Sequence, residues 1–213
     1  MAKPVPSDLE HDMSYRTVFA WRIFAALALG LAFSAPRGAI AEPLVIKPLA
    51  EARVASLPSG TLFWRIEQFE SAAAARAAAG PWSLVAESAG KVWLFTLGPA
   101  GGASVGTKIA EVGPIPRIEA NHYLLRINDA SGPNGSVTAV HSHPGSEAFF
   151  VLQGQQSIRS RNGTLRVDAG HAEAGQGAGQ AMQVSSSGAT DLHALVMFVV
   201  DADQPFSTPA TLP

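Results

Sequence analysis

His141 and His143 stand two residues apart, and Glu147 follows four residues after the second histidine. In an extended strand, residues at i and i+2 point to the same face, so the two imidazoles project together. Pro144, Gly145 and Ser146 give the chain a place to turn, from which Glu147 can return toward the imidazoles on the next strand. Two neutral imidazoles and a carboxylate converging from adjacent strands form the set that holds a divalent metal with open coordination positions. The plainer reading of the same residues is a hydrogen-bonded core group with no metal.

The full spacing is Gly135-x5-His141-x-His143-x3-Glu147-x6-Gly154. It resembles the first signature motif of the cupin superfamily. The resemblance spans about residues 121–200 and implies an all-β double-stranded β-helix (a jelly roll). It also implies one divalent metal ion, Fe, Mn, Ni or Zn, with His141, His143 and Glu147 as ligands. If the motif folds as in that family, Val137, Ala139, His141 and His143 line the interior, followed by Glu147, Phe149 and Val151 from the neighbouring strand. Thr138, Val140, Phe150 and Leu152 then face outward.

The family's second motif, roughly Gly-x5-Pro-x-Gly-x2-His-x3-Asn, is degenerate in this chain. In the stretch beginning at Gly170, Gly177-Ala178-Gly179 stands in place of Pro-x-Gly, Met182 in place of the histidine and Ser186 in place of the asparagine. A thioether is a soft, weak donor for hard divalent ions. Three readings stay open. The metal is held by His141, His143 and Glu147 alone; or a substitute ligand enters from His193, Gln180, Gln176 or His171; or metal binding is lost and an apolar ligand pocket remains. Met182, Phe149, Val151 and His193 are the expected pocket lining. His193 sits in the apolar run Leu192–Val200, where a satisfied core histidine is the bland alternative.

These residues need strands to position them, and the chain supplies many short ones separated by Gly- and Pro-rich turns, the pattern of a β-sandwich or barrel. Candidates are 62–69, 82–87, 91–97, 107–112, 123–128, 136–143, 148–152, 157–161, 164–167, 182–185 and 192–200. One short helix is expected over 71–79, where Ser71 caps an alanine run stopped by Gly80-Pro81. Asn162-Gly163 predicts a type I′ hairpin that sets Arg159 opposite Arg166 and Ile158 opposite Val167. One face of that hairpin carries Arg159, Arg161 and Arg166. It is either a solvated surface or an anion-binding docking point. The outward Val140, Phe150 and Leu152 need cover, from residues 62–112 with Trp64, Trp82, Trp93 and Phe95, or from a second subunit in a homodimer. The N-terminal segment is the preferred cover.

The chain has 213 residues, 47% of them hydrophobic, no cysteine and a formal charge of −2. That composition suits one globular domain with an extension and excludes a disulfide framework and thiolate chemistry. Scattered basic residues give no reason to expect nucleic acid. Residues 23–35 form an apolar run behind Arg16 and Arg22, followed by Ala39-Ile40-Ala41, the layout of a secretory signal peptide. Met13 gives a more compact basic start than Met1. Removing residues 1–41 takes four of 15 basic and three of 17 acidic residues and leaves a formal charge of −3. The expected organisation is a signal peptide over 1–41, a β-rich extension over 42–118 and the jelly roll over 119–213. The expected location is periplasmic or secreted, with no stable membrane association after cleavage.

The function these features point to is an exported metal-binding cupin acting on a small organic molecule, with Fe(II)-type oxygenase chemistry the leading enzymatic form. The alternatives are a non-catalytic cupin that binds or senses a small-molecule ligand, and an interaction protein that uses the arginine face. No catalytic acid or base stands out beyond the three ligands.

Overall fold

The structure, a computed structural model, describes residues 42–213. The expected signal peptide, with its apolar run at 23–35 and the two candidate starts, lies outside the described residues. Those residues form fourteen strands and one short helix. The first sheet has the order β1-β6-β13-β8-β11. Its strands are β1 (Val45–Val54), β6 (Tyr123–Gly132), β13 (Leu192–Asp201), β8 (Gly145–Gln153) and β11 (Ala172–Ala174). The second, β10-β9-β12-β7-β14, contains β10 (Gly163–Asp168), β9 (Gln155–Ser160), β12 (Met182–Ser186), β7 (His141–Ser142) and β14 (Thr208–Pro209). From β6 onward the chain passes repeatedly between these two sheets, which is the winding of a jelly roll.

A third, four-stranded sheet has the order β3-β4-β2-β5, from β3 (Ser83–Ser88), β4 (Lys91–Gly98), β2 (Leu62–Phe69) and β5 (Thr107–Ile115). It covers the outer face of the first sheet. One apolar core joins them: Trp64, Trp93 and Phe95 pack with Leu125, Phe150, Leu195 and Met197. Trp93 meets Phe150 edge to face at 5.9 Å between ring centroids. The outward side of β8 is therefore covered by the N-terminal segment, as expected. A second core lies inside the jelly roll, where Phe149, Val151, Ile158, Met182, Val184 and Phe198 interdigitate.

The helix α1 (Ala72–Ala78) forms where alanine propensity predicts it, and the Ser71 hydroxyl accepts from the Ala74 amide at 3.2 Å. Gly135 and Gly154, the two ends of the motif, both take positive φ, 89° and 75°, which a side chain disfavours.

Several expectations are corrected. Residues 42–60, whose Pro43, Pro48 and Pro58 suggest an extended lead-in outside any sheet, contain β1, which pairs with β6 along its length. The strand is an edge, where proline costs no ladder hydrogen bond. Because β1 belongs to the jelly-roll sheet, the expected boundary between 118 and 119 does not separate two bodies. The expected strand over 136–143 shrinks to His141–Ser142. Without continuous strand geometry, strict alternation does not hold upstream: Ala139 lines the interior cavity as expected, but so does its neighbour Thr138, expected to face outward. The 157–167 hairpin pairs Ser160 with Gly163, so Arg159 faces Thr164 and Arg166 faces Ser157. The turn falls at Arg161-Asn162 with Gly163 at φ 111°. Partners shift by two residues, so the faces are preserved: Ile158 and Val167 are buried, and Arg159, Arg161 and Arg166 are exposed without facing one another across the ladder.

Candidate functional site

A cavity of about 380 Å³ lies inside the jelly roll, walled by both five-stranded sheets. His141, His143 and Glu147 all line it, together with Phe149. The sequence-predicted donors thus share one compartment. His141 lies on β7, His143 follows directly after it, and Glu147 comes from β8 in the opposite sheet. The chain bends only at Pro144, because Gly145 and Ser146, expected in the turn, already belong to β8.

The two imidazole rings lie 5.0 Å apart and nearly perpendicular. His141 Nδ1 donates to the Ala139 carbonyl at 2.9 Å, and His143 Nδ1 donates to the Phe206 carbonyl at 2.7 Å. A carbonyl only accepts, so each Nδ1 carries a proton, and in the neutral ring Nε2 is the atom left with the lone pair. His143 is buried against the rings of Phe198 and Phe206, whose centroids lie 4.8 and 4.7 Å away and 4.9 Å from each other. Burial pushes its pKa down to about 4, with the charges of His141 and Arg126 acting the same way and the Phe206 carbonyl opposing them. The ring is neutral at neutral pH.

Glu147 is buried, and its Oε1 has no hydrogen-bond partner in the protein. Burial raises its pKa to about 8, against a smaller opposing pull from the Gln176 backbone. An unsatisfied buried polar atom costs about 1–3 kcal/mol. Two imidazoles with Nε2 lone pairs and an orphaned carboxyl oxygen lining one cavity are the donor chemistry of a divalent-metal site. In their present placement, however, no three His, Cys, Asp or Glu side chains among the described residues are grouped closely enough to grip one ion. A carboxyl kept neutral by burial is not drawn toward the imidazoles. Closing the set requires a side-chain adjustment.

The other expected site residues divide. Phe149 lines the cavity. Val151 and Met182 belong to the apolar core around it but do not reach the cavity wall. Met182 pairs with both His141 and Ser160 across the ladder and is buried, so the side chain that replaces the family's histidine packs as a core residue. None of His193, Gln180, Gln176 and His171 lines the cavity.

His193 is corrected outright. It points to the other side of β13, where its Nε2 lies 2.6 Å from Asp129 Oδ2 and 3.0 Å from Ser88 Oγ. Ser88 donates to the same Asp129 oxygen at 2.6 Å. This Ser-His-Asp group is not a nucleophile site. A single imidazole nitrogen faces both partners, so it cannot donate to the aspartate and also take the serine's proton. It ties β3 of the N-terminal sheet to β6 and β13.

Among the cavity residues that sequence reading did not find are Asn128, Gln156, Phe198, Phe206 and Arg126. Arg126 points to the cavity, but its charge is already engaged. Nε donates to Asn128 Oδ1 at 2.8 Å, Nη1 lies 3.0 Å from Glu51, and the guanidinium stacks over Phe206 at 4.1 Å. Phe206 arrives from the C-terminal segment, whose β14 pairs with β7. Gln156 had a usable signal. It stands two residues before the buried Ile158 on β9 and so shares its inward face.

No family model matches the sequence, and no curated protein matches it. Solved structures that resemble it include a cupin-like protein from Thermotoga maritima (15% identity, 41% of this chain and 65% of that one, TM-score 0.37). A polyketide cyclase from Streptomyces resistomycificus aligns at 20% identity over 42% of this chain and 62% of its own, TM-score 0.34. A DMSP lyase from Ruegeria pomeroyi aligns at 18% identity over 40% and 43%, TM-score 0.35. The aligned region spans less than two thirds of each of these proteins, and the fold assignment stands on the strand order described above. In its 135–154 motif and in the winding of its two five-stranded sheets, the chain is similar to the cupins.

Proposed function

We propose that this protein binds a small organic molecule inside its jelly roll, with His141, His143 and Glu147 holding a divalent metal at the polar side of the cavity. The observation that carries the reading is that these three donors line one largely apolar cavity, each histidine keeping an Nε2 lone pair and Glu147 an unpartnered oxygen. A bound cation would supply Lewis acidity and the counter-charge that the buried carboxylate lacks. The chain's own part is to fix the imidazole tautomers through the Ala139 and Phe206 carbonyls and to keep bulk water out with Phe149, Phe198 and Phe206. Oxygenase chemistry rests on the donor set alone, since no further acid or base stands beside it. Export of the mature chain from residue 42 onward belongs to the same proposal.

The test uses tag-free full-length protein. Titration with Fe(II), Mn(II), Ni(II) and Zn(II) should raise the Tm with at least one ion at one equivalent. His141→Ala and Glu147→Gln should each abolish that rise. An unchanged Tm with every ion, or a rise that survives both substitutions, removes the metal from the reading. Binding of small aromatic molecules to the metal-free protein would then leave the ligand-binding alternative, and oxygen uptake with such molecules separates an oxygenase from a binder.

A further inference from the structure

Gln156 is fully buried on the cavity wall, and both its amide oxygen and its amide nitrogen lack a hydrogen-bond partner in the protein. Buried polar groups in folded proteins are overwhelmingly paired, so an amide with neither end satisfied marks either a site or a defect. Its surroundings favour a site. Gln156 lies inside the barrel with Val184, Val196, Phe149 and Phe198, which offer apolar and aromatic surface to a flat ring. The arginine that lines the cavity, Arg126 on the opposite sheet, is already occupied by Glu51, Asn128 and Phe206. The cavity thus offers an anion no free arginine or lysine.

From this we infer that Gln156 is the specificity-determining residue of the pocket and that the ligand class is a flat, uncharged ring bearing a donor and an acceptor side by side, as in a lactam or cyclic imide. A primary amide presents one C=O and one N–H on a single edge, and a lactam edge satisfies both at once. A carboxylate accepts but does not donate, and would leave the Gln156 oxygen unpaired. A hydrocarbon would leave both atoms unpaired, which is the basis of strong discrimination by buried polar groups. The inference rests on the reading of the cavity as a ligand site, and it does not depend on the metal. At about 380 Å³ the cavity is at the small end of ligand pockets, suited to one or two fused rings.

The probes are 2-quinolone and N-methyl-2-quinolone, which have the same ring system but differ in the donor. Binding is measured on the full chain by calorimetry, with and without chelator. The wild type should prefer 2-quinolone by about tenfold or more, and Gln156→Leu should reduce the preference to within twofold while still binding the N-methyl compound. A second readout needs no ligand. Gln156→Leu, and Gln156→Met as a closer match in shape, should raise the Tm of the free protein, because each removes a buried amide with no partner. Equal affinity of the wild type for both probes overturns the role of Gln156 and leaves the pocket reading standing. A lowered Tm in both variants also overturns it, since the amide would then be a structural group. Failure of both probes, and of other small aromatic rings, to bind the wild type overturns the pocket reading and this inference with it.

Discussion

Glu147 and His143 place opposite demands on pH from the same cavity. Glu147 has a folded pKa near 8 against an ordinary 4.5, because burial disfavours its charge. The folded state therefore holds a proton that the unfolded state has lost, and stability falls as pH rises through that window. His143 has a folded pKa near 4 against an ordinary 6.5, again chiefly through burial. There the unfolded state binds the extra proton, and stability falls as pH drops from 6.5 toward 4. Between 4.5 and 6.5 the two slopes oppose each other. The metal-free protein should thus hold a plateau of denaturation midpoint over that range, decline above pH 6.5 and decline again below 4.5. Glu147→Gln should remove the alkaline decline and spare the acid one, which urea titrations at pH 5.5 and 8 would show. An alkaline decline of equal size in the variant would place its cause elsewhere.

At the scale of elements, the contact that matters most is the one between the N-terminal sheet and the outer face of β6, β13 and β8. Phe150 sits at its centre against Trp93 and is almost completely buried. Phe150→Ala should destabilise the protein by about 3–5 kcal/mol, the usual cost of deleting a buried aromatic side chain. The loss is expected in chemical denaturation as a lower midpoint, with all spectroscopic probes still moving together. The alternation along 147–152 made this face legible in the sequence: Glu147 and Phe149 on one side, Phe150 and Leu152 on the other. The same logic failed at Thr138, because alternation describes only continuous strand and the strand there begins no earlier than His141. Hairpin faces survived a two-residue change of partner for a related reason. The period of a strand is two, so such a shift alters which residues are opposed but not which side they occupy.

For the whole molecule, the described residues form one connected body, with β1 completing the jelly-roll sheet and β2 to β5 roofing it. Glu42 is already engaged in this fold: its carbonyl accepts from the Val137 amide at 3.2 Å, and Leu44 donates back to Val137 at 3.1 Å. If residues 1–41 direct export as proposed, protein recovered from the periplasm or medium of an expressing bacterium should begin at Glu42 on N-terminal sequencing. Full-length chain retained in the cytoplasm would count against export.

By itself, the sequence determined an all-β fold of many short strands, the helix cap at Ser71 and the sidedness of β8 and of the 157–167 hairpin, all of which follow from local periodicity or from short fixed spacing that a chain carries wherever it folds. The double-stranded β-helix and the three candidate donors came from the resemblance of the 135–154 motif. Only the tertiary structure decided the rest. It placed β1 beside β6, and turned His193 outward to Asp129 and Ser88. It set Arg126 between Glu51 and Phe206, and brought Phe206 from the C-terminal segment to the His143 Nδ1. It also buried Gln156 without a partner and packed Met182 into the core. Each of these depends on residues far apart along the chain meeting in space. Side-chain spacing along one strand states which way a group points, but not what it meets there.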